Sequence, residues 1–420
     1  MSISFKILIS RFLTRSGDQA WDFAVPLLLI TLFPDNLRLA FIYFFTLRLT
    51  SMFLMPYLGK FIDEVRRLTI IKCALLTQSF SVLCTGLLLF VHTYGETLGL
   101  NMSFFSFYGL LLIFGITSNL GVNVMDIAVA NDLVPTVIDK KHLARFNSKL
   151  RRVDLMTEVF SPICAGLLLT LSSVHNPLLG IGLIIGWNLI SFIPELLILI
   201  GIIGNDPLLD DPKTITLPTS ESLYTKFIKG WGVFQRSNVY WVIIANACLW
   251  ITVLSPHGVL LTAFLKGGWE IPEYIIGLFR ASGAVFGLIA TFLYPLIHQR
   301  FGLILTGKIF ILYQGLMVFL AFIFSFSMEE AYQYLFMIFI LFSRIGLYGF
   351  GLAETELRQI RIPAGERGRI NGVSQAMTSF ATVLVYGLGI FFSTPESFIF
   401  LVGFSALSVV IGGLIYKSKV

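Results

Sequence analysis

Apolar runs long enough to cross a hydrocarbon core of about 30 Å recur along the whole chain. Each is parted from the next by a short polar stretch rich in Lys, Arg, Gly and Pro. The pattern predicts spans at 5–33, 37–59, 68–93, 103–131, 145–172, 177–203, 238–265, 273–298, 303–326, 332–357, 369–393 and 396–416. Runs such as Ile181 to Ile203 are mostly apolar and do not alternate, which argues against the ~10-residue alternating segments of a transmembrane barrel. Helices satisfy their own backbone in lipid, so the expected fold class is all-α: a polytopic membrane protein of about twelve transmembrane helices.

Composition sharpens this. Of 420 residues, 56% are hydrophobic and only 13% charged, against roughly a quarter charged in a soluble domain. The net charge of +6 does not point to nucleic acid, because the basic residues sit beside the ends of apolar runs, where lipid headgroups explain them. The bilayer is the expected partner, and no nucleic acid. Loops 59–67, 139–152, 297–300 and 358–369 are basic, while 92–101, 172–177, 327–330 and 393–397 carry almost no Lys or Arg. Both termini are therefore expected in the cytoplasm. The start, with Lys6, Arg11 and Arg15 among apolar residues and no small-residue cleavage site, reads as the first span rather than a signal peptide. Cys73, Cys84, Cys164 and Cys248 all lie inside apolar runs and read as packing residues.

The longest break, 204–236, holds Asp206, Asp210, Asp211, Pro207, Pro212 and Pro218 and reads as a cytoplasmic linker. It divides the chain into six-helix halves, 1–203 and 237–420. RFNSKL (145–150) before span five and RINGVS (369–374) before span eleven point to an internal duplication. Two six-span halves rocking about a central cavity is the alternating-access plan of the major facilitator architecture. Gly59-xxx-Asp63-xxx-Arg67 resembles the loop signature of that superfamily, whose Asp and Arg hold one gate state. No Walker loop, Gly-rich dinucleotide turn, HExxH or GxSxG occurs, so enzyme chemistry is not expected and transport must draw on a gradient.

Polar groups at bilayer depth are costly and are functional candidates by default. Thr14, Asp18 and Asp22 follow at i, i+4 and i+8 on one helix face. Asn188, Ser191 and Glu195 form a stripe in span six, and Gln78 lies at comparable depth in span three. Asp18, Gln78, Asn188 and Glu195 offer only oxygen or amide ligands, a set suited to a hard or borderline cation. The bland readings are a salt bridge from Asp18 to Arg15 or Arg11, and ordinary interhelical hydrogen bonds. In span seven, Pro256 and Gly258 flank His257 and would break the helix, freeing carbonyls beside an imidazole that metal and proton can contest. A His bonded only to backbone is the rival there.

Five blocks together resemble the ferroportin family, the iron exporter branch of the major facilitator superfamily: GDQAWDFAVPLLL (17–29), LARFNSKLRRVDL (143–155), WNLISFIPELL (187–197), WITVL (250–254) and ERGRINGV (366–373). The resemblance implies export of Fe²⁺ and related Co²⁺, Ni²⁺ and Zn²⁺ from the cytosol, with proton antiport and an activating Ca²⁺ site in the first half. By that likeness Asp18, Gln78, Asn188 and Glu195 are the calcium ligands. Asp18, Asp22, Thr14, Asn188, Ser191 and His257 are the metal-site candidates, with Asp22 standing where vertebrate members carry a His. The vertebrate Cys of span seven is absent here, and the span-eleven His falls near Val385 and Tyr386, so hepcidin recognition is not expected. Asp132, Arg151, Arg152, Asp154, Glu366 and Arg367 resemble the family's inner gate; simple positive-inside anchoring is the rival for the arginines. The chain looks like a bacterial-type member, a monomer of the inner membrane. An exporter of organic solutes or drugs is the alternative within the superfamily, and a membrane scaffold the alternative outside it.

Overall fold

A computed structural model describes residues 2–32, 38–100, 102–173, 179–210, 231–256, 258–327, 329–392, 394 and 397–420. These form helices and turns with no strand. The long helices are α1 (Ile3–Leu32), α2 (Arg38–Glu64), α3 (Arg67–Leu98), α4 (Phe104–Asp126), α5 (Lys140–Ser173), α6 (Leu179–Ile203), α7 (Tyr240–Trp250), α8 (Val259–Gly267), α9 (Glu273–Phe324), α10 (Glu330–Arg361), α11 (Arg367–Phe391) and α12 (Phe398–Lys419). Every expected span coincides with helix. Span seven is broken into α7 and α8, and spans eight and nine run together as α9 through a turn at Gly302. Gly302 has φ 75°, a left-handed conformation that glycine adopts without a Cβ clash.

The helices overrun the apolar runs at their basic ends, as where α5 begins at Lys140 and α10 continues to Arg361. Charged straight-chain residues are good helix formers, so the helix stops later than its hydrophobicity does. Among the described residues, six segments meet the length and apolarity needed to cross a membrane: Arg67–Tyr94, Phe104–Val137, Leu179–Ile203, Tyr274–Phe324, Glu330–Arg361 and Phe398–Lys419. Helix α1 is diluted by Lys6, Arg11, Arg15, Asp18 and Asp22. Large apolar side chains point outward, including Phe105 at 86% and Ile190 at 73% exposure, a surface that suits lipid and not water.

The chain falls into two compact units. Unit 1 comprises Met1–Ile138, Met156–Gly230 and Pro363–Ala376; unit 2 comprises Asp139–Leu155, Trp231–Ile362 and Met377–Val420. The first turns of α5, which carry RFNSKL, thus belong with the later helices, and the first turns of α11, which carry RINGVS, belong with the earlier ones. Of the linker, residues 204–210 and 231–236 are described: Asp210 Oδ1 caps the start of α3 by accepting from the Leu68 amide at 2.7 Å. Residues 211–230 lie outside the described residues.

Helix α4 continues through a π-helical stretch, Ile127–Leu133, into Val134–Val137. Pro135 lacks an N–H and its ring crowds the carbonyl four residues back, which favours the wider turn. The wider turn carries Asp132, whose side chain is fully buried.

Candidate functional site

In unit 1, α1, α3 and α6 carry four candidate ligands into the apolar interior: Asp18, Gln78, Asn188 and Glu195 are 5%, 6%, 5% and 2% exposed. The Gln78 amide nitrogen donates to Asp18 Oδ1, and the Thr14 hydroxyl donates to Glu195 Oε1 as well as to the Ser10 carbonyl. Asp18 Oδ2 and Gln78 Oε1 are buried without a hydrogen-bond partner. Two acceptor oxygens left bare in an apolar interior cost free energy that a cation would recover.

Helices α1 and α6 approach closely where Gly17 faces Asn188 and Ser191. A Cβ at Gly17 would stand 3.0 Å from Asn188 Nδ2 and 3.3 Å from Ser191 Oγ. Glycine here lets the polar stripe of α6 lie against the polar face of α1. Ser191 Oγ donates to the Asn188 carbonyl at 2.8 Å. Asp22, one turn beyond Asp18, has an exposed side chain and does not join the buried group. Among the described residues no group of three or more His, Cys, Asp or Glu is gathered; the donor set is mixed, with amides and hydroxyls completing the two carboxylates.

Arg11 and Arg15, the same-helix cations next to Asp18, both reach across to Asp126. Arg11 Nη1 lies 2.6 Å from Asp126 Oδ1 and Arg15 Nη2 lies 2.5 Å from Asp126 Oδ2. Asp126, at the end of α4, is a residue that sequence reasoning missed. Its position at the close of an apolar run, among the polar residues Asn119 and Asn123, was the available signal.

A second polar cluster in unit 1 gathers the signature residues. Gly59 allows α2 to touch α11: a Cβ there would stand 2.3 Å from the Gly368 carbonyl oxygen. Asp63 caps α11, its two oxygens accepting from the Gly368 and Arg369 amides at 2.7 and 2.8 Å. Arg67 Nε donates to Asp132 Oδ2 at 2.9 Å, and the Arg67 guanidinium also donates to the Leu209 carbonyl. Arg367 Nη1 lies 4.0 Å from Asp132 Oδ1 and donates to Thr136 Oγ1 at 3.1 Å. Of the six expected gate residues, Asp132 and Arg367 meet here. Glu366, in a 3-10 turn, has no ion-pair partner among the described residues. Arg151, Arg152 and Asp154 belong to unit 2: Arg151 pairs with Asp154 at 3.7 Å and covers the Tyr348 ring, and Arg152 donates to the Thr291 hydroxyl and carbonyl at 3.0 Å each.

In unit 2 the expected break of span seven is present from Ile251 to Gly258. His257 lies outside the described residues. The Val253 amide donates to Ser405 Oγ at 3.0 Å, and the Leu254 carbonyl accepts from Arg344 Nη2 at 2.8 Å. Arg344 is 4% exposed, its Nε has no partner, and no carboxylate pairs with it among the described residues. Sequence reasoning passed over it, although a lone Arg in the apolar run of span ten was visible. Further along α10, buried Glu356 accepts from the Tyr294 hydroxyl of α9 at 2.7 Å and lies 3.4 Å from His298 Nε2.

A membrane chain of many long helices, without a strand among the described residues and with a charged loop signature between α2 and α3, has the fold of the major facilitator transporters. A major facilitator transporter, FucP, in the outward conformation superposes with a TM-score of 0.69 at 13% identity, covering 99% of this chain and 98% of that one, a likeness of fold. The family model for Ferroportin1 (FPN1) matches residues 1–409. The chain belongs to the ferroportin family. It is 39% identical to ferreportin from Bdellovibrio bacteriovorus over 99% of this chain and 94% of that protein. It also superposes on a bacterial homologue of the iron transporter ferroportin, in the outward-facing state with soaked iron, with a TM-score of 0.88 at 38% identity, covering 100% of this chain and 99% of that one.

Proposed function

We propose that the protein exports Fe²⁺ and related divalent metals such as Co²⁺, Ni²⁺ and Zn²⁺ across a bacterial inner membrane by alternating access, with proton antiport. The observation that carries this reading is the pair of bare oxygens, Asp18 Oδ2 and Gln78 Oε1, beside buried Glu195 in an apolar interior. Interhelical hydrogen bonding alone would have used those oxygens. A membrane scaffold or an organic-solute carrier has no need of two buried carboxylates and bare amide oxygen.

Asp18, Gln78, Asn188 and Glu195 fit Ca²⁺, because all four present oxygen and the unpartnered ones already face an apolar interior. A bound Ca²⁺ would add positive charge at Asp18 and Glu195, because Arg11 and Arg15 are turned to Asp126. Thr14 holds Glu195 by a hydrogen bond from one turn before Asp18, and Gln78 orients Asp18 by its amide nitrogen. The four residues thereby couple α1, α3 and α6, the helices that must move together if unit 1 is to rock as one body. The transported metal draws on the same polar face, Thr14, Asp18, Asn188 and Ser191, and on His257 of the second half. Asp22, with its exposed side chain, serves as an approach ligand. The Arg67–Asp132–Arg367 group and the Asp63 cap act as the inner gate, since both tie helices of the first half to the start of α11. Both termini lie in the cytoplasm, and the protein works as a monomer that hepcidin does not bind.

The test is Co²⁺ flux into liposomes holding the purified chain and an internal dye, with and without Ca²⁺. Calcium-stimulated flux that falls at least about tenfold in both Asp18→Asn and His257→Ala supports the reading. Flux of organic cations with no response to any divalent metal would replace it with the solute-exporter alternative.

A further inference from the structure

Unit 2 carries a feature that metal transport does not use. Where α9 turns at Gly302 and α10 ends, an open cavity of about 480 Å³ is lined by Phe301, Leu305, Leu357 and Ile360, with Lys308 and Arg361. The lining contains no acidic residue. Lys308 has no ion-pair partner among the described residues, and Arg361 donates only to the Asn238 carbonyl at 3.4 Å, so most of its donors remain available. Arg300, next to the lining residue Phe301, stands over its ring at 5.4 Å. Lys308 and Arg361 thus form a basic rim on an apolar trough.

We propose that this cavity binds one anionic phospholipid, its phosphate held by Lys308 and Arg361 and its acyl chains laid on Phe301, Leu305, Leu357 and Ile360. Two properties choose a lipid over other occupants. The trough opens where α9 turns at Gly302, just after His298 and Arg300, and at the basic end of α10, both helices apolar enough to span a membrane, so it faces the headgroup zone. Its floor is apolar beneath a basic rim, which matches a molecule with one anionic head and hydrocarbon tails. A guanidinium binds phosphate with parallel N–H donors, and the ammonium adds a second point charge.

The experiment is native mass spectrometry of the full chain released from mixed phosphatidylglycerol and phosphatidylcholine bilayers with matched acyl chains. Phosphatidylglycerol is expected to be retained in preference to phosphatidylcholine. Lys308→Gln and Arg361→Gln are each expected to lower that retention about fivefold, the effect of one basic residue near an anionic headgroup. Their combination should abolish the preference, while Lys72→Gln, an exposed lysine of unit 1, should leave it unchanged. Unaltered melting temperatures in the variants establish that they fold. Equal retention of the two lipids, or wild-type retention in the double variant, would overturn the proposal. Displacement by millimolar glycerol 1-phosphate would overturn it as well, since the groove would then take a free phosphate. Retention is read without any transport, so the result is independent of the metal assignment.

Discussion

The Gln78 amide nitrogen donates to Asp18 Oδ1 and leaves Gln78 Oε1 and Asp18 Oδ2 both buried and bare. The pair joins α3 to α1 at the cost of two unsatisfied oxygens. That cost sets the sign of the first prediction.

Asp18→Asn removes a buried carboxylate whose Oδ2 has no hydrogen-bond partner, while keeping the shape of the side chain. The variant should therefore melt at or above the wild-type temperature without divalent metal. With Ca²⁺ at about one hundred times its dissociation constant the wild type should gain about 2.7 kcal/mol, and the variant should lose most of that gain. Thermal melts with and without Ca²⁺ measure both signs, and a variant still stabilised like the wild type would remove Asp18 from the site.

Arg67 and Asp132 are paired at 2.9 Å with side chains only 5% and 0% exposed. Breaking such a pair strands a charge, so Arg67→Met or Asp132→Leu should each destabilise by about 3–5 kcal/mol. The double replacement should cost clearly less than the sum, because neither member of the close pair is left without the other, and what remains of the loss is that of Arg367 facing Asp132 at 4.0 Å. A double-mutant cycle in denaturant or heat tests this, and additive losses would show that the pair does not matter.

Gly59→Ala puts a Cβ 2.3 Å from the Gly368 carbonyl oxygen, a backbone atom that cannot swing aside. Helices α2 and α11 must separate there, stretching the Asp63 cap on Gly368 and Arg369. A loss of about 1–3 kcal/mol is expected from the overpacking. Asp63→Ala should cost about 1–2 kcal/mol through the lost cap alone. Calorimetric or fluorescence melts distinguish the two, and a Gly59→Ala protein as stable as wild type would show that the contact yields freely.

Arg344→Gln keeps a donor for the Leu254 carbonyl and discards a buried charge that has no carboxylate partner among the described residues. The fold should be unchanged or firmer, while metal flux should fall severalfold if the charge is retained for transport. Paired melting and flux measurements decide it; a variant that is both firmer and fully active would mark Arg344 as dispensable.

Protons and metal contest the carboxylates of Asp18 and Glu195 and the imidazole of His257 under the proposed mechanism. Acidifying the metal-loading side should raise the KM for Co²⁺, and a pH gradient alone should drive flux. Liposomes with imposed pH steps test this, and flux indifferent to both pH and its gradient would remove proton antiport.

The span pattern was legible because a hydrocarbon interior tolerates few alternatives to long apolar helices, and the break of span seven was legible because Pro256 and Gly258 interrupt one. The depth argument for Asp18, Gln78, Asn188 and Glu195 also came from sequence, since rise per residue converts position into depth. It could not show that Arg11 and Arg15 turn to Asp126, because that depends on the rotation of α1 against α4 and on the arginine rotamers.

Sequence alone therefore determined the helical class and the broken seventh span, both of which follow from one-dimensional periodicity and the residues that interrupt it. Tertiary structure decided which partners the polar residues have. It brought Asp63 to the amides of Gly368 and Arg369, set Arg151 beside Asp154 and Arg152 on Thr291, and left Asp18 Oδ2 and Gln78 Oε1 bare. The reason is that helix rotation and helix neighbours are set by packing between residues hundreds of positions apart, and no local pattern in a single chain encodes them.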